Sequence, residues 1–170
     1  MAPPCDALSS GVRRHVEWAR DTLRVSCDPH RMDRELIASF LATTYWARDT
    51  PRPTVEKSLD GSICFSLLDS EKQVGFARVI SDRATIAYLN DVFVVPEYRG
   101  RGLGTWLVEC ALAHPDLRGV KRWILVTRDA HELYRKLGFK PLSRPETFME
   151  LRSSLSGVTP NNSLERGRDR

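Results

Sequence analysis

The chain reads Asn90-Asp-Val-Phe-Val-Val-Pro-Glu-Tyr-Arg-Gly-Arg-Gly-Leu-Gly-Thr105 along its most informative stretch: an apolar strand, a proline stop, three alternating glycines and a helix start. Glycine tolerates positive φ angles and lets a ligand approach the backbone, while the first N–H groups of a helix have no partner inside it. The stretch therefore predicts an anion-binding loop, with phosphate as its natural ligand. Arg99 and Arg101 lie at the positive end of the helix macrodipole, and a bound anion would remove that conflict.

Other glycine-rich phosphate loops do not fit this stretch. A Walker A loop needs Gly-Lys followed by Ser or Thr, which the chain lacks. The dinucleotide pattern G-x-G-x-x-G fails because position 107 is leucine and no parallel βαβ unit begins here. A tight strand-to-helix turn with surface arginines remains as the alternative to an anion site.

Apolar periodicity divides the rest of the chain into strands and helices. The alternation of Leu23, Val25 and Cys27 predicts a strand, and Asp33 caps a helical pattern of apolar residues. Asp129 with Glu132 three residues later forms a capping-box pattern. The predicted elements are a helix at 12–20, a strand at 22–27, a helix from 33 to 44, a loop around Pro51 and Pro53, strands at 63–68, 74–81 and 84–95, a helix at 102–114, a strand at 122–127, a helix at 130–137 ending at Gly138, and extended pieces at 140–142 and 147–152. This order predicts a mixed sheet with helices on its faces.

A second motif occupies residues 130–139, Ala-His-Glu-Leu-Tyr-Arg-Lys-Leu-Gly-Phe. Together with Arg99-x-x-Gly102-x-Gly104, which follows Val94-x-Pro96, it resembles the Gcn5-related N-acetyltransferase (GNAT) family. The resemblance covers about residues 23–151. It implies an α/β (α+β) single-domain fold, with a mixed, mostly antiparallel sheet of six to seven strands flanked by about four helices.

The resemblance also implies acetyl-CoA (coenzyme A) as co-substrate. Its pantetheine arm would lie where the strand ending at Val95 splays from the strand at 122–127. Family members often carry asparagine seven residues before the helix tyrosine, and this chain has Thr127 there, so that contact is altered or supplied differently. The implied cofactor-binding residues are Phe93, Val94, Val95, Arg99, Gly100, Arg101, Gly102, Leu103, Gly104, Thr105 and Thr127.

Acetyl transfer from a thioester to an amine needs a base for the amine, a donor for the oxyanion and an acid for the departing thiolate. Asp91 is the candidate base, and Asn90 beside it could orient the amine or a water. An equal alternative is that Asp91 fixes a bulge or pairs with an arginine.

Tyr134 is the candidate acid, because a phenol with a pKa of about 10 can protonate a thiolate. The alternative for Tyr134 is a core tyrosine with a satisfied hydroxyl. A backbone N–H of residues 93–95, freed by a bulge, would bind the oxyanion.

Tyr45 and Trp46 lie at the end of the first predicted core helix. The resemblance implies that this region lines the acceptor pocket. They could hold an apolar or cationic amine, and simple packing of the helix end on the sheet is the equal alternative.

The leading hypothesis is an acetyl-CoA-dependent N-acetyltransferase that acts on a primary amine of a small molecule by direct attack in a ternary complex. A catalytically silent acyl-CoA-binding sensor or interaction module is the alternative.

Composition limits the other classes. The 170 residues are 41% hydrophobic and 28% charged, a balance typical of one globular domain. No apolar run approaches the roughly 20 residues of a membrane span, and no secretory signal is readable, so we expect a cytoplasmic protein without a membrane partner. Four well-separated cysteines predict free thiols and no metal site.

The net charge of +4 comes without an interleaved run of basic and aromatic residues, so we expect no nucleic-acid partner. A monomer or a homodimer is equally compatible with the sequence. The predicted organisation is a partly disordered N-terminal extension at 1–20, an acetyltransferase domain at 21–155 and a disordered basic tail at 156–170.

Overall fold

The structure is a computed structural model that describes residues 15–151. One unit of the chain extends to Gly138 and contains the whole sheet, and a second begins at Phe139. The described residues of the second unit include one short 3-10 helix, Pro145–Thr147. Within the described range, no helix combines the length and apolarity that a bilayer crossing requires.

Six strands form one sheet in which spatial order follows chain order. Every neighbouring pair is antiparallel except the last, which is parallel. The predicted mixed, mostly antiparallel sheet is therefore confirmed, with six strands. The strands are β1 (Glu17–Arg20), β2 (Leu23–Ser26), β3 (Ile63–Asp69), β4 (Lys72–Ser81), β5 (Ile86–Val94) and β6 (Arg122–Ile124).

Four α-helices accompany the sheet, which is the number that the resemblance implied: α1 (Arg34–Leu41), α2 (Arg52–Asp60), α3 (Leu103–Leu112) and α4 (His131–Lys136). Helices α1 and α2 share an apolar cluster with Phe76 and Phe93. Phe65 points to the other face, because it pairs with Ala77 while its neighbour Ser66 pairs with Phe76. Its ring meets His114 just beyond α3, so α3 covers that second face.

The helix predicted at 12–20 is wrong where the structure describes it. Residues Glu17–Arg20 form β1, which pairs with β2 through the register Glu17↔Ser26 to Arg20↔Leu23. Asp21 makes the reversal with a φ of 52°. The weak helical spacing of this segment is overridden by the hairpin ladder, which local periodicity does not reveal. Residues 12–14 lie outside the described range.

The loop predicted around Pro51 and Pro53 is also wrong, because α2 begins there. Pro51 is its N-cap and Pro53 lies in its first turn. The first N–H groups of a helix have no intrahelical partner, so proline is tolerated at these positions. Val55 and Leu59, one turn apart, then bury the inner face of the helix.

Other deviations lie near the end of the described chain. The capping box predicted from Asp129 is absent: Ala130 is the N-cap of α4, and Thr127 Oγ1 accepts a hydrogen bond from its N–H at 3.0 Å. Strand β6 ends at Ile124, three residues earlier than expected. No strand occurs in the described parts of 140–142 and 147–152. The predicted glycine stop is confirmed by Gly138, with a φ of 90°.

Candidate active site

A cleft opens beside β5 because the pairing of β5 with β6 stops early. The parallel ladder covers only residues 86–88 of β5, whereas β5 continues to Val94. After Ile124 the chain leaves the sheet and leads to α4. The splay between these two strands is therefore present, and in the described chain the second half of β5 has no strand partner on that side.

The cleft holds a cavity of about 520 Å³ between β5, the start of α3 and α4. Most of the predicted cofactor residues line it. Val95 does not, because it packs against the α1–α2 cluster, and the Arg101 guanidinium lies over the Tyr98 ring, 5.3 Å from its centre. The predicted residues that line the cavity are Trp46, Phe93, Val94, Arg99, Gly100, Gly102, Leu103, Gly104, Thr105 and Tyr134.

The start of α3 presents bare backbone to this cavity. Gly102 is the N-cap with a φ of 74°, and no side chain caps the helix. Gly100 has a φ of 75°, and a Cβ added at either glycine would meet nothing within 4 Å. Arg99 Nε donates to the Val94 carbonyl at 2.9 Å, which holds this guanidinium beside the loop. The arrangement offers N–H donors and a cation to an anion.

A β-bulge lies where β5 faces the cleft. Phe76 pairs with Phe93 and Arg78 with Asn90, so two residues of β5 oppose a single residue of β4. Asp91 lies in this bulge with a φ of 51°, in the left-handed region that most side chains avoid. The bulge considered at the sequence level is therefore present at Asp91.

The Asp91 carboxylate is buried and engaged on both oxygens. Oδ2 accepts from Arg78 Nε at 2.5 Å, and Oδ1 accepts from Trp46 Nε1 at 3.2 Å. Arg78 is 8% exposed and also donates to Ser62 Oγ at 3.1 Å. These contacts match the alternative in which Asp91 pairs with an arginine and fixes a bulge, and its role as a base stays a prediction.

One backbone donor of β5 points into the cleft. Successive N–H groups of a strand point to opposite sides. The Val95 N–H donates to the Val74 carbonyl of β4 at 2.9 Å. The Val94 N–H therefore points away from β4, toward the side where the β6 ladder has already ended. It is the candidate oxyanion donor.

Tyr134 lies on α4 and lines the cavity. Burial raises the pKa of its phenol to about 12, with smaller contributions from Tyr45 and Asp129. A raised pKa keeps the phenol protonated throughout the neutral range, so the group can donate a proton there. This protonation state suits the predicted acid.

A second, smaller cavity of about 80 Å³ adjoins the first. Trp46, Asp129 and Tyr134 are among the residues that line both. The smaller cavity also brings together the remaining predicted residues Tyr45, Asn90, Asp91 and Thr127. Thr127, predicted to bind the cofactor, lines this cavity and not the larger one.

Sequence reasoning missed three contributors to the site. Arg78 holds Asp91, and the available signal was a lone charge inside the apolar run from Val74 to Ile80, since a buried charge needs a partner. Asp129 lines both cavities instead of capping α4. Phe40 lines the larger cavity and stacks on Phe93, with ring centres 4.0 Å apart. No local pattern distinguished Phe40 from an ordinary core aromatic.

Comparison with known proteins agrees with this geometry. The family model described as Acetyltransferase (GNAT) domain matches residues 60–141. A protein of Gibberella zeae, named "Putative acetyltransferase FG08082", is 31% identical over 153 residues, which cover 76% of this chain and 85% of that protein. The chain belongs to the GNAT family, and its enzyme class is N-acetyltransferase.

Solved structures show the same fold. A crystal structure from Xanthomonas campestris pv. campestris, described as belonging to the GNAT family, is 47% identical with a TM-score of 0.74. The match covers 77% of this chain and 93% of that one. Glucosamine-6-phosphate N-acetyltransferase from Arabidopsis thaliana has a TM-score of 0.55 at 15% identity, covering 79% and 99% of the two chains. At that identity the likeness concerns the fold alone.

Proposed function

We propose that this chain transfers the acetyl group of acetyl-CoA to a primary amine of a small molecule, by direct attack in a ternary complex. The observation that carries the proposal is one continuous cavity from the bare N-terminus of α3, past the unpaired edge of β5, to Tyr134. That cavity offers an anion site at one end and a proton donor at the other. Acetyl-CoA has a diphosphate and a thioester at the two ends of its pantetheine arm.

The residues of the loop fit the diphosphate. Gly100 and Gly102 expose the backbone, and the first-turn N–H groups of Leu103, Gly104 and Thr105 have no side-chain cap. Arg99 adds positive charge at the same end. A Cβ at Gly104 would come within 3.2 Å of Leu133 Cδ1, so this glycine allows α3 to approach α4 closely.

The proposed chemistry divides among three groups. The Val94 N–H stabilises the oxyanion that develops as the amine attacks the thioester carbonyl. Tyr134 then gives its phenolic proton to the departing thiolate. A pKa of about 12 keeps the phenol protonated at neutral pH, so its proton is present when the thiolate departs.

Removal of the amine proton is assigned to Asp91, directly or through a water. An ionised carboxylate has about four acceptor positions. Arg78 and Trp46 occupy two of those of Asp91, so further hydrogen bonds from an ammonium or a water fit its chemistry. Asn90, which lines the same small cavity, would orient that amine or water.

Release of free coenzyme-A thiol from acetyl-CoA, measured across a panel of primary amines, tests the proposal. We expect thiol release that depends on at least one amine. Tight acetyl-CoA binding by calorimetry without thiol release for any amine would favour the silent binding module. Absence of both binding and release would refute the cofactor assignment as well.

Tyr134→Phe tests the acid. Loss of general acid catalysis should lower kcat by about 100-fold or more while the Kd for acetyl-CoA stays nearly constant. Tyr88→Phe is the matched control, because Tyr88 lies on β5 but lines neither cavity. Equal kcat values for Tyr134→Phe and the unaltered protein would remove Tyr134 from the mechanism.

A further inference from the structure

The smaller cavity limits the shape of the acceptor. Its volume of about 80 Å³ is less than a sixth of the roughly 520 Å³ of the larger one. The smaller cavity is therefore the narrower part of the site. The two cavities meet at Trp46, Val92 and Tyr134, where an acceptor nitrogen in the small cavity would face a thioester in the large one.

The walls of this cavity are held on both sides, so it does not widen easily. Trp46 is fixed by its hydrogen bond to the buried Asp91. Tyr45 packs edge-on against Trp46, with ring centres 4.9 Å apart, and its hydroxyl accepts from the Arg128 backbone N–H at 3.0 Å. The Arg128 guanidinium covers the Tyr45 ring at 3.7 Å from its centre. Both aromatic walls are thus anchored to neighbouring segments.

The lining chemistry suits an ammonium at the end of an apolar chain. Leu89, Val92 and Val126 supply apolar surface, and the two rings add electron-rich faces and edges. Two carboxylates, Asp91 and Asp129, line the same space. Asp91 is compensated by Arg78, whereas Asp129 pairs with the exposed Arg128 at 3.7 Å, and solvent screens that pair.

From this size and chemistry we propose that the acceptor is a primary amine on a straight alkyl chain, with no branch or ring at the carbon that bears the nitrogen. This inference rests on the proposed function and specifies its substrate class. A free alkylamine and the side chain of a lysine share this chemistry. A branch at the first carbon would require Trp46 or Tyr45 to move and their anchoring hydrogen bonds to break.

Amines of different shape provide the test: n-butylamine and sec-butylamine are isomers that share charge and composition, and cyclohexylamine adds a ring at the carbon that bears the nitrogen. We expect kcat/KM for n-butylamine to exceed that for sec-butylamine by about 10-fold or more, with cyclohexylamine as poor as the branched isomer. Equal or higher kcat/KM for the branched and cyclic amines overturns the inference and leaves the proposed function intact. Thiol release with none of the amines overturns both.

A peptide whose only primary amine is a lysine side chain distinguishes the two sources. A higher kcat/KM for this peptide than for n-butylamine assigns the class to protein lysines and overturns the small-molecule part of the proposed function, and a lower value assigns it to free amines. Either result supports the straight-chain class as long as the branched isomers remain poor.

Trp46→Leu should reduce the preference for straight-chain over branched amines. Removing part of the wall should raise kcat/KM for sec-butylamine relative to n-butylamine by several-fold. Ile80→Ala is the control, because Ile80 is about as exposed as Trp46 and lines neither cavity. An unchanged ratio in a Trp46→Leu variant that still binds acetyl-CoA would contradict the assignment of Trp46 as a wall.

Discussion

Among single residues, the Arg78–Asp91 pair contributes most to the geometry of the site. Both side chains are at least nine-tenths buried, and each would be an uncompensated charge without the other. Asp91→Asn should therefore lower the free energy of unfolding by about 3–5 kcal/mol, measured by urea denaturation. It should also weaken the anchoring of Trp46, because the carboxylate is the acceptor for that indole.

An exposed pair gives the control for this prediction. Arg20 and Glu109 are 3.3 Å apart and about half exposed, so Glu109→Gln should change stability by less than about 1 kcal/mol. Similar losses for Glu109→Gln and Asp91→Asn would contradict the assigned burial of the Arg78–Asp91 pair. If Asp91 is also the base, Asp91→Asn loses activity even at low urea and low temperature, where the variant is folded.

The pairing of Arg78 with Asp91 marks a limit of sequence reasoning at this scale. Position 91 could be singled out from the motif, and the isolated charge at Arg78 was visible in its apolar strand. Their contact depends on the bulge, which shifts the β4–β5 register by one residue. A one-residue shift reverses which side chains share a face, and no local pattern fixes it.

At the level of elements, the loop before α3 needs glycine at position 102 for two reasons. The backbone there has a positive φ, and in our proposal it also contacts the ligand. Gly102 has a φ of 74°, so Gly102→Ala should cost about 1–2 kcal/mol of stability from the left-handed conformation alone. The added Cβ also projects from the backbone that binds the diphosphate in our proposal. We therefore expect a separate loss of affinity for acetyl-CoA, measured by calorimetry.

Gly119→Ala separates these two effects. Gly119 has a φ of 89° and nothing within 4 Å of an added Cβ, and it lines neither cavity. Both variants should lose similar stability, whereas only Gly102→Ala should bind acetyl-CoA more weakly. Unchanged affinity in Gly102→Ala would refute close contact between this backbone and the cofactor.

Elements with strong local signals were predicted well. Asp33 caps α1 through a hydrogen bond to the Leu36 N–H at 2.9 Å, and the glycine loop precedes α3 as its pattern indicates. The elements that were predicted wrongly have weak local signals. Strand β1 is four residues long and is stabilised by its pairing with β2. Helix α2 begins at prolines that were interpreted as a loop, although proline is also a normal first-turn residue.

At the scale of the whole molecule, the sequence predicted where the cavity lies but not its size or shape. The two motifs and their order indicated which strands splay and which loop lines the cavity. The size of the opening depends on where the β5–β6 ladder ends, and the sequence predicted a β6 three residues too long. One wall of the smaller cavity is held by contacts between Tyr45 and Arg128, 83 residues apart, which no single-sequence pattern contains.

The stability of the whole fold should depend on one buried histidine. His114 follows α3 and is 5% exposed, and its ring lies near those of Trp18 on β1 and Phe65 on β3. Its Nδ1 accepts a hydrogen bond from the Asp116 N–H at 3.2 Å, which requires this nitrogen to be unprotonated. Burial lowers the pKa of His114 below its ordinary value of 6.5, with Asp116 and Arg83 acting less strongly in opposite directions.

Because the folded pKa is the lower one, the unfolded chain takes up the proton first as the pH falls. The contribution of His114 is therefore fully present above about pH 6.5 and decreases as the pH falls toward its folded pKa. His114→Asn keeps an acceptor for the Asp116 N–H but removes the titration. In urea denaturation between pH 7.5 and 5, the free energy of unfolding should fall more steeply for the unaltered protein than for His114→Asn, so the two curves converge at low pH. Parallel curves would mean that His114 has the same pKa in the folded and unfolded chain, which would contradict the lowered pKa.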